Sequence, residues 1–422
     1  MISFNHIKPS SVAEVFYDER HPYTPPSNQT LTRVGVIGGG QLAWMMASAA
    51  KNLGVSLVVQ TPHNSDPAVA IATDTVLGNI ADAIATQELA KRCDVITFEN
   101  EFIDLDALRV LAEAGVCFRP RLEALAPLLD KFEQLSQLQG LGLPVPRFEA
   151  LTRVEGDLNP QITQGLGYPV VLKARRHGYD GQGTFIIPDA ATLKATWAKF
   201  DYPPMLLQEF IPFERELAAI AARSVTGDVA IYPIVETIQH DQVCHRVIAP
   251  AKISTHLQDQ INRLAHTLLH GLDVVGLFGI EFFLTASGEV LVNEIAPRTH
   301  NSGHFSLDAC HTSQFEQHLR AVSGLPLGNP DLKCGGAVMV NLLGFELAEN
   351  DYLAKREQLA AIPQAKVHWY GKIQSRPGRK LGHVTVLIDT EDPIHTLQEE
   401  AQAIAQQIES IWYGDQLPYR HQ

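Results

Sequence analysis

The segment VVLKARRHGYDGQGTFII, residues 170–187, decides how the rest of the chain is read. Two β-rich runs, VVL at 170–172 and TFII at 184–187, flank a loop in which Gly178, Gly181 and Gly183 alternate with Tyr179, Asp180 and Gln182. The pattern predicts a hairpin with a glycine-rich tip. A residue without Cβ lets backbone N–H groups come close to an anionic ligand, and Lys173 at the strand end supplies a point charge suited to phosphate. The segment is therefore a candidate flap over a phosphate. It also fits a surface hairpin whose glycines serve turn geometry alone.

Upstream, residue 33 begins an alternation of strand and helix. VGVI reads as a buried strand, GGGQLAWMMASAAKNLG as a glycine turn and a helix stopped at Gly54, and VSLVV as a second strand. A helix at 82–91, the strand DVITF and a helix at 104–114 continue the βαβ pattern. Gly38, Gly40 and Ala43 satisfy a dinucleotide fingerprint, but Gln60 stands where that fingerprint wants a carboxylate for the ribose. A dehydrogenase is the weaker reading. The turn is either a phosphate or ribose site at a helix N-terminus or a close-packed connection. Residues 1–32, with Pro9, Pro22, Pro25 and Pro26, read as an extension outside the first domain. A helix is expected from about 122 to the breakers Gly142 and Pro144, carrying Lys131. Another is expected at 190–199, and then a strand, a kink at Pro212 and a second strand, with Glu209 and Glu216 on this stretch.

The run GIEFFLTASGEVLVNEIAPRTHNSGH, residues 279–304, carries the densest chemistry. A two-residue turn at Ser287-Gly288 would set Leu284 opposite Leu291, Ala286 opposite Glu289, and Glu281 opposite Glu294. Like charges facing each other on a sheet need a cation between them, and oxygen ligands favour Mg²⁺ bridging substrate phosphates. An exposed pair or another register is the alternative. Asn293, Arg298, Thr299, His300, Asn301 and Ser302 follow on the same strand end, a crowd of polar groups that suits a substrate pocket. Farther on, AVMVNLLG, VHWYG and HVTVLI read as strands before a final helix at 393–409. Lys372, Arg376, Arg379 and Lys380 flank one turn, either a phosphate clamp or solvated charges.

Composition narrows the function classes. Of 422 residues 45% are hydrophobic and 19% charged, which describes an ordinary globular protein of two to four domains by length. A net charge of -14 argues against nucleic acid and anionic membrane as partners, so any phosphate must be held by local cations. No apolar run reaches a membrane span. The five cysteines, Cys93, Cys117, Cys244, Cys310 and Cys334, lie far apart and fit free thiols in a reducing cytoplasm.

Taken in order, GGGQL, ARRHGYDGQGT, QEFIPFERE, VNEIAPRTHNSGH and RPGRKLGH resemble the N5-carboxyaminoimidazole ribonucleotide synthetases, ATP-grasp ligases of purine biosynthesis. The resemblance covers residue 33 to the C-terminus. It implies a mixed α/β and α+β architecture: a Rossmann-like domain at 33–120, an ATP-grasp domain at 121–325 with a mobile lid at about 150–207, and a small C-terminal β-rich domain at 335–422. It implies ATP and Mg²⁺, with bicarbonate and aminoimidazole ribonucleotide as the other small-molecule partners; a homodimer is expected on the same ground, although the residues themselves fix no oligomeric state. On this resemblance Arg119, Lys131, Lys173 and the flap residues Gly178, Tyr179, Asp180, Gly181, Gln182, Gly183 and Thr184 would meet ATP. So would Glu209, Phe210, Ile211, Glu216, Asn293 and Glu294. Glu281 and Glu294 would hold the metal. Arg298, His300 and Asn301 would hold bicarbonate and carboxyphosphate, with Tyr179 and Asp180 at the imidazole and its amine. Gly39, Gly40, Gln41, Leu42, Glu99, Lys372, Arg379 and Lys380 would bind the ribonucleotide. Ala43-Trp44 and Gln182 depart from the Gly-Arg and the cation usual in the family. Another ATP-grasp ligase, such as the formate-dependent glycinamide ribonucleotide enzyme, and a non-catalytic nucleotide-binding module are the competing classes.

Overall fold

Short parallel strands rich in Val and Ile build the first sheet, as the alternation predicts. It comprises β1 (Arg33–Ile37), β2 (Ser56–Thr61), β3 (Asp74–Leu77) and β4 (Val95–Phe98), in the order β3-β2-β1-β4. The computed structural model describes residues 31–152, 165–176, 178, 183–389 and 394–414. Helix Gln41–Leu53 follows the glycine turn and ends at Gly54 in the left-handed region. Helices Ala83–Ala90 and Leu105–Glu113 start where Asp82 and Asp104 accept backbone N–H groups of the first turn. Gln60 at the end of β2 is buried. Its Nε2 donates to the Asn79 carbonyl at 2.8 Å and its Oε1 accepts from Thr86 Oγ1 at 2.8 Å. Internal bonds thus fill the place where a dinucleotide site would put its carboxylate.

The single helix expected from 122 to 142 is instead three pieces: Leu122–Leu125, a 3₁₀ turn Ala126–Leu129, and Lys131–Gly140. Pro127 removes a helical donor, and Asp130 restarts the helix by accepting from Phe132 and Glu133 N–H. The second sheet is antiparallel, order β5-β8-β6-β7, from β5 (Phe148–Leu151), β6 (Val170–Ala174), β7 (Thr184–Ile187) and β8 (Met205–Glu209). β6 and β7 form the expected hairpin, with Lys173 opposite Thr184. Helix Ala190–Ala198 packs beside it, burying Leu193 and Trp197.

The remaining strands form one large sheet. Its path is β14-β13-β9-β11-β12-β15-β19-β17, from β9 (Phe213–Arg223), β11 (Val235–His240), β12 (Val243–Ala249), β13 (Gly276–Thr285), β14 (Val290–Ala296), β15 (Gly336–Leu343), β17 (Ala365–Trp369) and β19 (Lys380–Ile388). β10 (Val229–Ile231) pairs with β9, and a separate ribbon joins β16 (Ala348–Glu349) to β18 (Gln374–Ser375). The C-terminal strands therefore continue the central sheet through the β12–β15 ladder. Helices Thr255–Gly271 and Leu353–Ala360, unforeseen in the sequence, cover parts of the core, and the final helix runs Ile394–Tyr413.

The first sheet is joined firmly to the rest of the chain. Helix Gln41–Leu53 shares a core with Phe315, Leu319 and Val322 of helix Gln314–Ser323 and with Tyr370. Buried His318 takes the Leu277 N–H on Nδ1 (3.2 Å) and meets Thr97 Oγ1 through Nε2 (2.9 Å). Arg119 belongs to this seam, which corrects its assignment to ATP: its buried guanidinium donates to the Val322 carbonyl at 2.6 Å. At the other end, Arg246 on β12 grips Glu409 of the last helix through two bonds of 2.5 Å. Glu409 is only 3% exposed. Arg246→Ala should therefore cost roughly 3 to 5 kcal/mol in urea unfolding by stranding that carboxylate, while the double variant with Glu409→Ala loses less. Equal losses would show that the stranded carboxylate is not the source of the loss.

Candidate active site

One cleft of about 1590 Å³ opens between the three sheets. Its wall includes Gly39, Gly40, Gln41, Leu42 and Glu99 from the first sheet, and Lys131 from the helix beside the lid. The second sheet and the chain next to it contribute Lys173, Gly178, Thr184, Glu209, Phe210 and Ile211, and β9 contributes Glu216. Glu281, Asn293, Glu294, Arg298, His300 and Asn301 line the central sheet, and Lys372, Arg379 and Lys380 the C-terminal turn. The Gly183 carbonyl accepts from Ala174 N–H at 2.7 Å and closes the hairpin. Tyr179, Asp180, Gly181 and Gln182 lie outside the described residues.

Glu281 and Glu294 do face each other, for a different reason from the expected one. The turn has three residues, with Gly288 N–H donating to the Thr285 carbonyl at 2.9 Å, so Leu284 pairs with Val290 rather than Leu291. A β-bulge at Asn293 takes up the extra residue and restores the facing of the two glutamates. The bulge also leaves Asn293 in the cleft wall beside Glu294, where its Oδ1 accepts from Lys173 Nζ at 3.2 Å.

Two lysines answer the negative pair. Lys131 Nζ lies 2.5 Å from Glu294 Oε2 and, against the effect of burial, holds that carboxyl below the usual range. Among the described residues no lysine pairs with Glu281: burial, then the charges of Glu294 and Glu216, push its carboxyl up to about 8. Burial likewise raises Glu216 to about 7, opposed by Lys173, and burial together with Lys131 lowers Lys173 to about 8. The two lysines meet because Lys131 N–H donates to the Arg175 carbonyl at 2.8 Å while Arg175 Nε pairs with Asp130 Oδ1 at 2.8 Å. Asp130 and Arg175 were missed as site supports, although a D-K-F-E helix start is a readable cap.

Across the cleft, the glycine turn is built around Glu99. Gly38 takes φ +127, and a side chain there would collide with the Glu99 carboxylate. Glu99 oxygens accept from Gly40 N–H (2.8 Å), Leu42 N–H (3.0 Å) and Ala43 N–H (3.3 Å). The helix N-terminus is thus capped by a carboxylate of the fold itself, which takes the Gly40, Leu42 and Ala43 amides. Glu99 supports the turn. Lys372 Nζ bridges from the C-terminal turn to Gln41 Oε1 at 2.6 Å, and Arg379 Nη1 donates to the Gln374 carbonyl at 2.5 Å.

His300 lies against Gly279, where an added Cβ would stand 2.5 Å from its side chain, and its Nε2 is 3.6 Å from Glu281 Oε1. Arg298 Nε pairs with Glu101 of the first sheet's loops at 2.8 Å. The Asn301 amide exchanges hydrogen bonds of 3.0 and 2.6 Å with the buried Asn341 amide, which fastens the loop. Nothing local in the sequence connects residues 40 positions apart.

A second group, Asp308, His368 and His383, brings ligand atoms within 4.8 Å of one another. The His368 and His383 rings are stacked, 17° from parallel with centroids 4.5 Å apart. Their in-plane lone pairs run side by side and do not converge, so this group is a poor metal cage.

Known proteins resemble this chain over most of its length. Residues 136–315 match the ATP-grasp domain, 31–127 the ribonucleotide synthetase preATP-grasp domain, and 337–396 the phosphoribosylaminoimidazole carboxylase C-terminal domain. Fold and cleft together define an ATP-grasp ligase. The N5-carboxyaminoimidazole ribonucleotide synthase of Synechococcus elongatus is 55% identical over 90% of this chain and 95% of its own, and that of Synechocystis sp. 54% over 91% and 99%. The Aspergillus clavatus N5-carboxyaminoimidazole synthase structure, in complex with ADP and 5-aminoimidazole ribonucleotide, superposes with a TM-score of 0.80 at 32% identity, covering 90% of this chain and 100% of that one. The chain belongs to the N5-carboxyaminoimidazole ribonucleotide synthase family.

The raised Glu281 carboxyl has a measurable consequence. Its folded value of about 8 lies above the ordinary 4.5, so the folded protein binds more protons than the unfolded chain between these pH values. Its stabilising contribution is complete below about pH 4.5 and is lost as pH rises toward about 8. In metal-free protein, Glu281→Gln should flatten this part of the profile of thermal midpoint against pH. Parallel profiles for wild type and variant would show that Glu281 keeps an ordinary carboxyl.

Proposed function

We infer that this chain catalyses the ATP-dependent N-carboxylation of 5-aminoimidazole ribonucleotide with bicarbonate, a step of purine biosynthesis. The observation that carries this reading is one continuous cleft holding the Glu281–Glu294 pair with Lys131 and Lys173 at one side and the Lys372–Lys380 basic turn at another. Bicarbonate is a poor electrophile. Transfer of the γ-phosphoryl group of ATP to a bicarbonate oxygen gives carboxyphosphate and ADP. The substrate amine then attacks the carboxyl carbon, or the CO₂ released from it, phosphate leaves with the C–O electron pair, and the amine loses a proton.

Lys131 and Lys173 suit the ATP phosphates, with the backbone at Glu209 and Ile211 for the adenine and Glu216 for the ribose. The Glu209 side chain is already committed to Arg147 Nε at 2.5 Å, which leaves its backbone for the base. Glu281 and Glu294, an all-oxygen donor set whose mutual repulsion calls for a cation, fit Mg²⁺ with Asn293 Oδ1 at its edge. A bound Mg²⁺ would neutralise phosphate charge. His300 and Arg298 suit the carboxyl group. Tyr179 and Asp180 are proposed for the imidazole and its amine. Lys372, Arg379 and Lys380 suit the ribonucleotide phosphate, with Gln41 beside them. On family resemblance the proposed assembly is a homodimer, tested by light scattering, and the proposed location cytoplasmic. Among the described residues no helix is long and apolar enough to cross a membrane.

ADP release by purified protein with bicarbonate, with and without aminoimidazole ribonucleotide, tests the activity. Glu294→Gln should abolish it. Arg379 has donors to spare beyond its bond to Gln374, so Arg379→Ala should raise KM for the ribonucleotide about 10- to 150-fold and leave KM for ATP nearly unchanged. If the defect is as large with the nucleoside lacking phosphate, Arg379 supports the turn and not the phosphate.

A further inference from the structure

Gln314 is fully buried at the start of its helix, with its side-chain amide against the backbone of the His300 loop. Its Oε1 accepts from His300 N–H at 2.9 Å and its Nε2 donates to the His300 carbonyl at 2.7 Å. A backbone donor demands oxygen and a backbone acceptor demands nitrogen, so the amide can point only one way. Its other Nε2 hydrogen faces His304 Nδ1 at 2.9 Å. Nδ1 must therefore accept, and the single ring proton stands on Nε2. A second proton, on Nδ1, would set two N–H groups head to head. Burial, with the fields of Lys380, His300, His368 and Arg298, also holds His304 well below its ordinary range. The ring is a fixed neutral donor, unfit for acid or base work.

Among the described residues that donor has no hydrogen-bond partner. His304 Nε2 is buried without a hydrogen bond, although the residue forms part of the cleft wall between His300 and the basic turn. A buried N–H left unpaired costs roughly 1 to 3 kcal/mol, which an acceptor on a ligand would relieve. The positive charges near this ring, those of Arg298 and Lys380, would draw an anionic oxygen to the same place.

We propose that His304 contacts substrate: its Nε2–H donates to an oxygen of the carboxyl group in transit, and Gln314 is the positioning residue that fixes it as a donor. The proposal rests on the ligase reading above. Two substitutions separate its parts. In His304→Asn the side-chain oxygen can replace Nδ1 toward Gln314 with no donor at the Nε2 position, whereas His304→Gln can place an amide there. Bicarbonate-dependent ADP release should fall about 10- to 100-fold in His304→Asn with KM for ATP unchanged, and recover substantially in His304→Gln. Full activity in His304→Asn would overturn the proposal, as would a His304→Gln variant no better than His304→Asn. Nitrogen-15 spectra of labelled wild type should show an Nε2–H ring that does not titrate between about pH 6 and about pH 9, and a titrating ring in Gln314→Glu. A wild-type ring that titrates would also overturn it. Wild type that releases no ADP would instead sink the ligase reading, and the proposed ligand with it.

Discussion

Two carboxylates facing each other on neighbouring strands, Glu281 and Glu294, repel, and much of the cleft is arranged around that repulsion. The bulge at Asn293 sets the facing, Lys131 takes the charge of Glu294 at 2.5 Å, and Asp130 with Arg175 holds the helix that delivers Lys131. What the lysines leave unanswered shows in Glu281, which keeps its proton to about pH 8. A site that resists its own charge in this way has stored affinity for a cation: binding one relieves a cost the fold already bears.

The polar groups nearest the chemistry are held by partners distant in sequence. Gln314 clamps the backbone of His300, Asn341 fastens Asn301, and Glu101 pairs with Arg298. Loops positioned by buried amides need no regular structure of their own. Their precision comes from the sheets and helices behind them.

This division explains how much was legible in the sequence. Strand and helix periodicity gave the first sheet, the lid hairpin and the final helix, and the motif run gave the ligase family. The facing of Glu281 and Glu294 came out correctly through two departures that cancel, a longer turn and a bulge, neither of which the alternation of residues reveals. Arg119 was misplaced because a lone arginine after a strand carries no sign of its partner, and that partner, the Val322 carbonyl, lies 203 positions away. Glu99 was named for the ribonucleotide through family resemblance alone, and no spacing in the sequence reveals the three backbone N–H groups that its oxygens accept. Gln314 and His304 went unnoticed for a like reason: tautomers are set by geometry that no spacing encodes.

The central sheet runs unbroken from β14, which carries Glu294, to β19, which begins at Lys380. Six strand-to-strand steps separate them, each about 4.8 Å across a hydrogen-bonded ladder. The separation of the acidic pair from the basic turn is thus set by the spacing of the sheet's own ladders. The lid sheet shares no described ladder with it. Selection for a ligand of one length can therefore reside in the spacing of one sheet, to which the smaller sheet adds no strand.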